Sequence, residues 1–163
     1  MTESFEPKIY GLPDKWDKAH MECAFAYANL SSARRAKVGC VIVKDNRIIS
    51  IGYNGMPAGW DNNCEDEDWP LWAKDHASID PVYIKLTTKP EVLHAETNAI
   101  AKAAQSPEST RGSVLYCTMM PCLDCAKLIY QSGIVEVFYA EDYPKGTAGR
   151  DFLTKCQIPV RKI

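Results

Sequence analysis

Residues 94–140 read HAETNAIAKAAQSPESTRGSVLYCTMMPCLDCAKLIYQSGIVEVFYA, and their alternation of patterns decides the fold. HAETNAIAKAAQ (94–105) is helical in its spacing, GSVLYCT (112–118) reads as a strand, CLDCAKLIYQSG (122–133) as a helix closed by Gly133, and IVEVFYA (134–140) as a second strand. Downstream, TAGRDFLTKC (147–156) predicts another helix and QIPVRKI (157–163) a short last strand. Upstream, VGCVIVK and RIISIGY, joined by Asp45-Asn46, predict an antiparallel hairpin over 38–53. In front of it, DKWDKAHMECAFAYANL (14–30) starts at Asp14, a suitable N-cap, and places Trp16, Ala19, Cys23, Ala26, Tyr27 and Leu30 on one helical face. The order α, hairpin, α-β-α-β-α-β predicts an α/β protein: a three-layer α-β-α sandwich around a mixed five-stranded sheet, its crossover units parallel.

A chain of 163 residues fits one domain, 1–163, interrupted by a stretch at about 55–93 with no sustained periodicity. Its aromatics argue against disorder, and Trp60, Trp69 and Trp72 read as insert core or a subunit contact rather than a platform for bases. With 19 Lys plus Arg against 21 Asp plus Glu, the net charge of −2 disfavours sequence-independent binding to nucleic acid. No segment has the length and apolarity of a membrane span, and MTESFEPKIY lacks the pattern of a signal peptide, so the expected location is cytoplasmic. The seven cysteines are then expected as thiols, and one pair, Cys122 and Cys125, has metal-ligand spacing. Cys23, Cys40, Cys117 and Cys156 read as packing residues.

The chemistry gathers at two predicted helix starts, where α/β sheets place their sites. His94-Ala95-Glu96 opens one helix and Pro121-Cys122-Leu123-Asp124-Cys125 the next. One imidazole and two thiols suit Zn2+ and leave a fourth coordination position for water, as catalytic zinc sites do. Glu96 is too near His94 in sequence to be an easy co-ligand and is placed to carry protons. The free backbone N–H groups of the helix starts favour thiolate at both cysteines. H-x-E paired with P-C-x-x-C is the composite signature of zinc nucleobase deaminases; either half alone is weak.

With VGCVIV, GYNGMPAG (52–59), HAETNAI and LYCTMMPCLDCAKLIYQSGI, the chain resembles the deoxycytidylate deaminases of the cytidine-deaminase superfamily over nearly its whole length. The resemblance implies hydrolysis of dCMP to dUMP and ammonia, supplying thymidylate synthesis. It makes His94, Cys122 and Cys125 the zinc ligands, with Glu96 moving protons between a zinc-activated water, N3 and the leaving amine. Asn54 resembles the asparagine that holds the sugar, although an asparagine tolerated in a turn at positive φ fits the same position. Lys37, Arg34 and Arg35 precede the first strand, where relatives bind the phosphate, and Tyr143 and Lys145 follow VFYAEDY. Similar enzymes are often homo-oligomers, hexamers in many cases, regulated by dCTP and dTTP with Mg2+. Gly52, Tyr53, Asn54, Gly55 and Lys102 are the matching effector residues, Lys102 being equally readable as a solvated lysine. Cys64 and His76 stand where some relatives carry a second, structural zinc, without four convincing ligands here. Two other readings stay open: a nucleic-acid deaminase of the tRNA adenosine type, which would want a basic face, and a noncatalytic zinc-stabilised interaction module, which would have no use for Glu96.

Overall fold

The computed structural model describes residues 14–70 and 84–163. Helix α1, Lys15–Ala28, starts at Asp14, whose carboxylate accepts from the backbone of Trp16 and Asp17 at 2.7 and 3.0 Å. Asp17 returns the bond to the Asp14 N–H at 2.9 Å, closing a capping box. The hairpin is β1, Gly39–Lys44, and β2, Arg47–Tyr53; Asp45 and Asn46 sit at φ of 50° and 57°, as a two-residue primed turn requires. Then come β3 (Glu65–Asp68), β4 (Lys85–Thr88), α2 (Ala95–Ala104), β5 (Val114–Met119), α3 (Leu123–Gln131), β6 (Glu136–Glu141), α4 (Ala148–Lys155) and β7 (Val160–Lys162).

Five strands form one sheet in the order β2-β1-β5-β6-β7, with β1 antiparallel to β2 and β5, and β5-β6-β7 parallel. The predicted mixed sheet is present. Because strand side chains alternate, Cys40, Ile42, Leu115, Cys117 and Val137 face α2, α3 and α4, joining Ala95, Ala99, Ala126, Ile129 and Leu153 in one core. Val41, Val43, Tyr116 and Phe138 face α1, packing on Met21 and Ala24. Helices therefore cover both faces, which explains strands that are apolar without alternation.

Two expectations are corrected. The buried face of α1 is His20, Met21, Ala24 and Ala28, whereas Trp16 and Leu30 are exposed. The reason is close approach: a β-carbon on Gly39 would lie 2.0 Å from the Ala24 carbonyl oxygen, so α1 meets β1 on alanines and has no room there for tryptophan. The insert also has order of its own. β3 and β4 pair antiparallel from Glu65↔Thr88 to Asp68↔Lys85 as a separate two-stranded sheet. Its acidic, threonine-rich strands lack the apolar alternation that announces a strand. Trp60 and Trp69 are exposed, not insert core. Trp72 and His76 lie outside the described residues. Cys64 is buried, with its sulfur 3.6 Å from both Ser32 Oγ and the Asn62 carbonyl. Cys40 and Cys117 are fully buried, while Cys23 and Cys156 are half-buried.

Candidate metal centre and cavity

His94 is the N-cap of α2 and Cys122 the N-cap of α3, and neither side chain makes a capping hydrogen bond. Imidazole and thiol are thus left to each other. His94 Nδ1 lies 3.3 Å from Cys125 Sγ and 3.6 Å from Cys122 Sγ, and the three ligand atoms all fall within 4.8 Å of one another. Zinc bond lengths of roughly 2.3 Å to sulfur and 2.0–2.1 Å to nitrogen at tetrahedral angles separate nitrogen from sulfur by about 3.6 Å. The cluster already has the spacing and the donor set that zinc needs.

Its electrostatics agree. Hydrogen bonds from Cys125 and then from His94 draw the Cys122 thiol down to about 4, while the same pairing and burial push Cys125 up. His94 is raised, chiefly by its bond to Cys122. The pairing therefore favours thiolate character at Cys122, and metal binding would draw off the remaining proton. Glu96, in the first turn of α2, is buried at 4% exposure, and desolvation pushes its carboxyl above the ordinary carboxylate range. A raised carboxyl can hold a proton as well as accept one.

A cavity of about 260 Å³ opens on this centre. His94, Glu96, Cys122, Asn54 and Tyr143 line it, with Val38, Val92, Met119 and Met120 as apolar wall. Asn54 is not at positive φ; it braces the chain ahead of β1, accepting from Val38 N at 2.8 Å and donating to the Ala36 carbonyl at 2.9 Å. One amide N–H and one lone pair remain for a ligand. The Tyr143 hydroxyl is raised by burial first and then by both thiols and Glu96, and is drawn back by Arg35.

The cations differ from those the sequence put first. Arg35 and Lys145 line the cavity; Arg34 and Lys37 do not. Arg34 is held away by Glu67, 2.7 Å from its Nη1, and by Glu65, 3.7 Å from its Nε, and Lys37 is exposed. Glu65 and Thr88 also line the cavity and were missed, because their strands sit in the insert that the sequence leaves irregular. Of the other candidates, Gly52 is buried beneath α2, Gly55 bridges to Leu93, and Lys102 stands over the Tyr53 ring with Nζ 5.3 Å from its centroid.

Residues 14–141 match the family of the cytidine and deoxycytidylate deaminase zinc-binding region. A deoxycytidylate deaminase of Enterobacteria phage T4 is 36% identical over 156 residues, covering 80% of this chain and 80% of the phage protein. One from Homo sapiens is 36% identical over 155 residues, covering 91% of this chain and 80% of the human one. The crystal structure of the dCMP deaminase of cyanophage S-TIM5 in complex with dCMP and dUMP has 36% sequence identity and a TM-score of 0.78, covering 94% of this chain and 100% of that one.

Proposed function

Because this chain belongs to the cytidine and deoxycytidylate deaminase family, we propose that it hydrolyses dCMP to dUMP and ammonia in the cavity lined by His94, Glu96 and Cys122. The observation that carries the reading is the buried Glu96 carboxyl beside three convergent metal donors, at the floor of a cavity that has cations elsewhere on its wall. The sequence relatives and the cyanophage enzyme whose structure holds dCMP and dUMP support the choice of substrate.

His94, Cys122 and Cys125 would hold zinc. The chemistry such an ion supplies is Lewis acidity, which makes water a competent nucleophile at neutral pH. Glu96 does the proton work: its carboxylate takes one proton from the water that attacks C4 and delivers it to N3, then takes the second from the resulting C4 hydroxyl and gives it to the amino group as the C4–N bond breaks and ammonia leaves. Its raised affinity for a proton suits a group that must alternate between the two states. Val92, Met119 and Met120 exclude bulk water around the base. Asn54 offers its remaining amide N–H and lone pair to the sugar. Arg35 and Lys145 take the 5′-phosphate, the role that sequence position alone gave to Arg34 and Lys37 as well.

Regulation by dCTP and dTTP with Mg2+ belongs to the same proposal, as does assembly into a homo-oligomer. Exposed Lys102 above the half-buried Tyr53 ring supports an effector contact, since the ammonium keeps N–H donors on its solvent side for a phosphate. The reading is tested by ammonia release from purified zinc-loaded protein given dCMP, dCTP, deoxycytidine and a cytosine-containing oligonucleotide. dCMP should be the best substrate, by about a hundredfold or more over deoxycytidine if two charge-assisted bonds of roughly 1.5–3 kcal/mol each hold the phosphate. Preferential turnover of the oligonucleotide would replace this reading with a nucleic-acid deaminase.

A further inference from the structure

The function leaves the insert sheet unexplained: why should two short polar strands, neither of which carries a zinc donor, form part of the cavity wall? We propose that Glu65 and Thr88 are positioning residues that hold Arg35 in place as the receptor of the substrate phosphate, a role that rests on the phosphomonoester reading above.

The two residues are direct cross-strand partners in the β3-β4 pair, and both line the cavity. Each grips a different part of Arg35. Glu65 Oε1 accepts from the backbone N–H of Arg34 at 3.0 Å and of Arg35 at 3.2 Å, which fixes the main chain there. Thr88 Oγ1 accepts from Arg35 Nη1 at 2.7 Å, which fixes the guanidinium. A long flexible side chain is thereby held at both ends by one rung of one sheet. The rotamer entropy that a free arginine would lose on meeting a ligand is lost on folding instead.

The chemical types suit the task. Thr88 orients the guanidinium with a neutral oxygen, so Arg35 keeps its charge and four of its five N–H donors for an incoming dianion. A carboxylate at position 88 would orient it equally well and cancel the charge. Glu65 is buried at 1% exposure, and its Oε2 has no hydrogen-bond partner among the described residues. Arg34 Nε, 3.7 Å away, balances it from the solvent side, which gives Arg34 a purpose other than substrate contact. Arg35 and Tyr143 both line the cavity.

The experiment measures the ratio of kcat/KM on dCMP to kcat/KM on deoxycytidine for zinc-loaded wild type, Arg35→Ala, Thr88→Val, Thr88→Ser, Glu65→Gln and the double variant Arg35→Ala/Thr88→Val. Thr88→Val removes the hydroxyl at nearly constant size and should lower the ratio by roughly three- to tenfold, the size of one hydrogen bond, mainly through KM for dCMP. Thr88→Ser, which keeps the hydroxyl, should stay within about twofold of wild type on the same scale. In the Arg35→Ala background, Thr88→Val should have no further effect on the ratio. The inference is overturned if Arg35→Ala lowers the ratio while Thr88→Val and Glu65→Gln leave it alone, or if Thr88→Val acts equally with and without Arg35. Zinc content and circular dichroism of each variant separate misfolding from misplacement, and the threonine series stands if Glu65→Gln does not fold. Equal kcat/KM for the two substrates in wild type would instead sink the phosphate reading itself.

Discussion

Gly149, in the first turn of α4, lies flat against the turn that carries a zinc donor: a β-carbon there would be 2.0 Å from the Pro121 carbonyl oxygen and 2.8 Å from Cys122 C. Both contacts are with backbone, which cannot swing aside. The seat of Cys122 is therefore set by a helix that supplies no ligand. Gly149→Ala should displace the 121–122 turn, weaken zinc binding, and cost about 1–3 kcal/mol of stability, as overpacking does. Zinc stoichiometry after dialysis against a mild chelator, beside thermal unfolding, checks this. A variant with wild-type zinc retention would show that α4 can slide.

Glu96→Gln should keep its metal and lose turnover, since the amide preserves shape and burial but cannot take a proton from water. General acid–base catalysis is worth roughly 10² to 10⁴ in rate. Substantial kcat in a zinc-replete Glu96→Gln protein would remove Glu96 from the chemistry.

Cys122→Ala and Cys125→Ala should lose bound zinc and activity together, and their melting temperatures should no longer rise on adding zinc, because metal bound only by the folded state stabilises it by mass action. Cys23→Ser and Cys156→Ser, at half-buried positions outside the cluster, should keep one zinc per chain. Loss of zinc from either serine variant would mean a different ligand set.

Across the sheet from the cavity, the Tyr116 hydroxyl donates to Asp17 Oδ1 at 2.7 Å, and burial followed by Asp17 pushes the phenol well above its ordinary value of 10.0. A raised folded-state pKa means that above about pH 10 the unfolded chain releases a proton that the native state keeps. The stabilisation is full below pH 10 and falls as pH rises beyond it, by up to about 1.4 kcal/mol per pH unit. Tyr116→Phe should be less stable at pH 7 and should lose this alkaline slope. Denaturant unfolding between pH 8 and 11 measures both, and parallel curves for the two proteins would contradict the linkage.

Features that depend on neighbours along the chain were legible in the sequence. The capping box of α1, the Asp45-Asn46 turn, Gly133 at φ 76° after α3, the order of elements and the three-residue spacing of Cys122 and Cys125 all follow from local backbone chemistry. Long-range packing set what depends on distant backbone. It turned α1 onto Ala24 and Ala28 because Gly39 lets the helix in so close. It brought His94 to thiols 28 and 31 residues away by setting two helix starts side by side. It chose Arg35 over Arg34 for the cavity through a hydroxyl 53 residues along the chain and acidic partners in β3, and left Lys37 exposed outside it. Arg34 and Arg35 look alike in sequence; what separates their side chains is the acceptor each meets, and those acceptors are supplied by strands whose own pairing no local pattern announces.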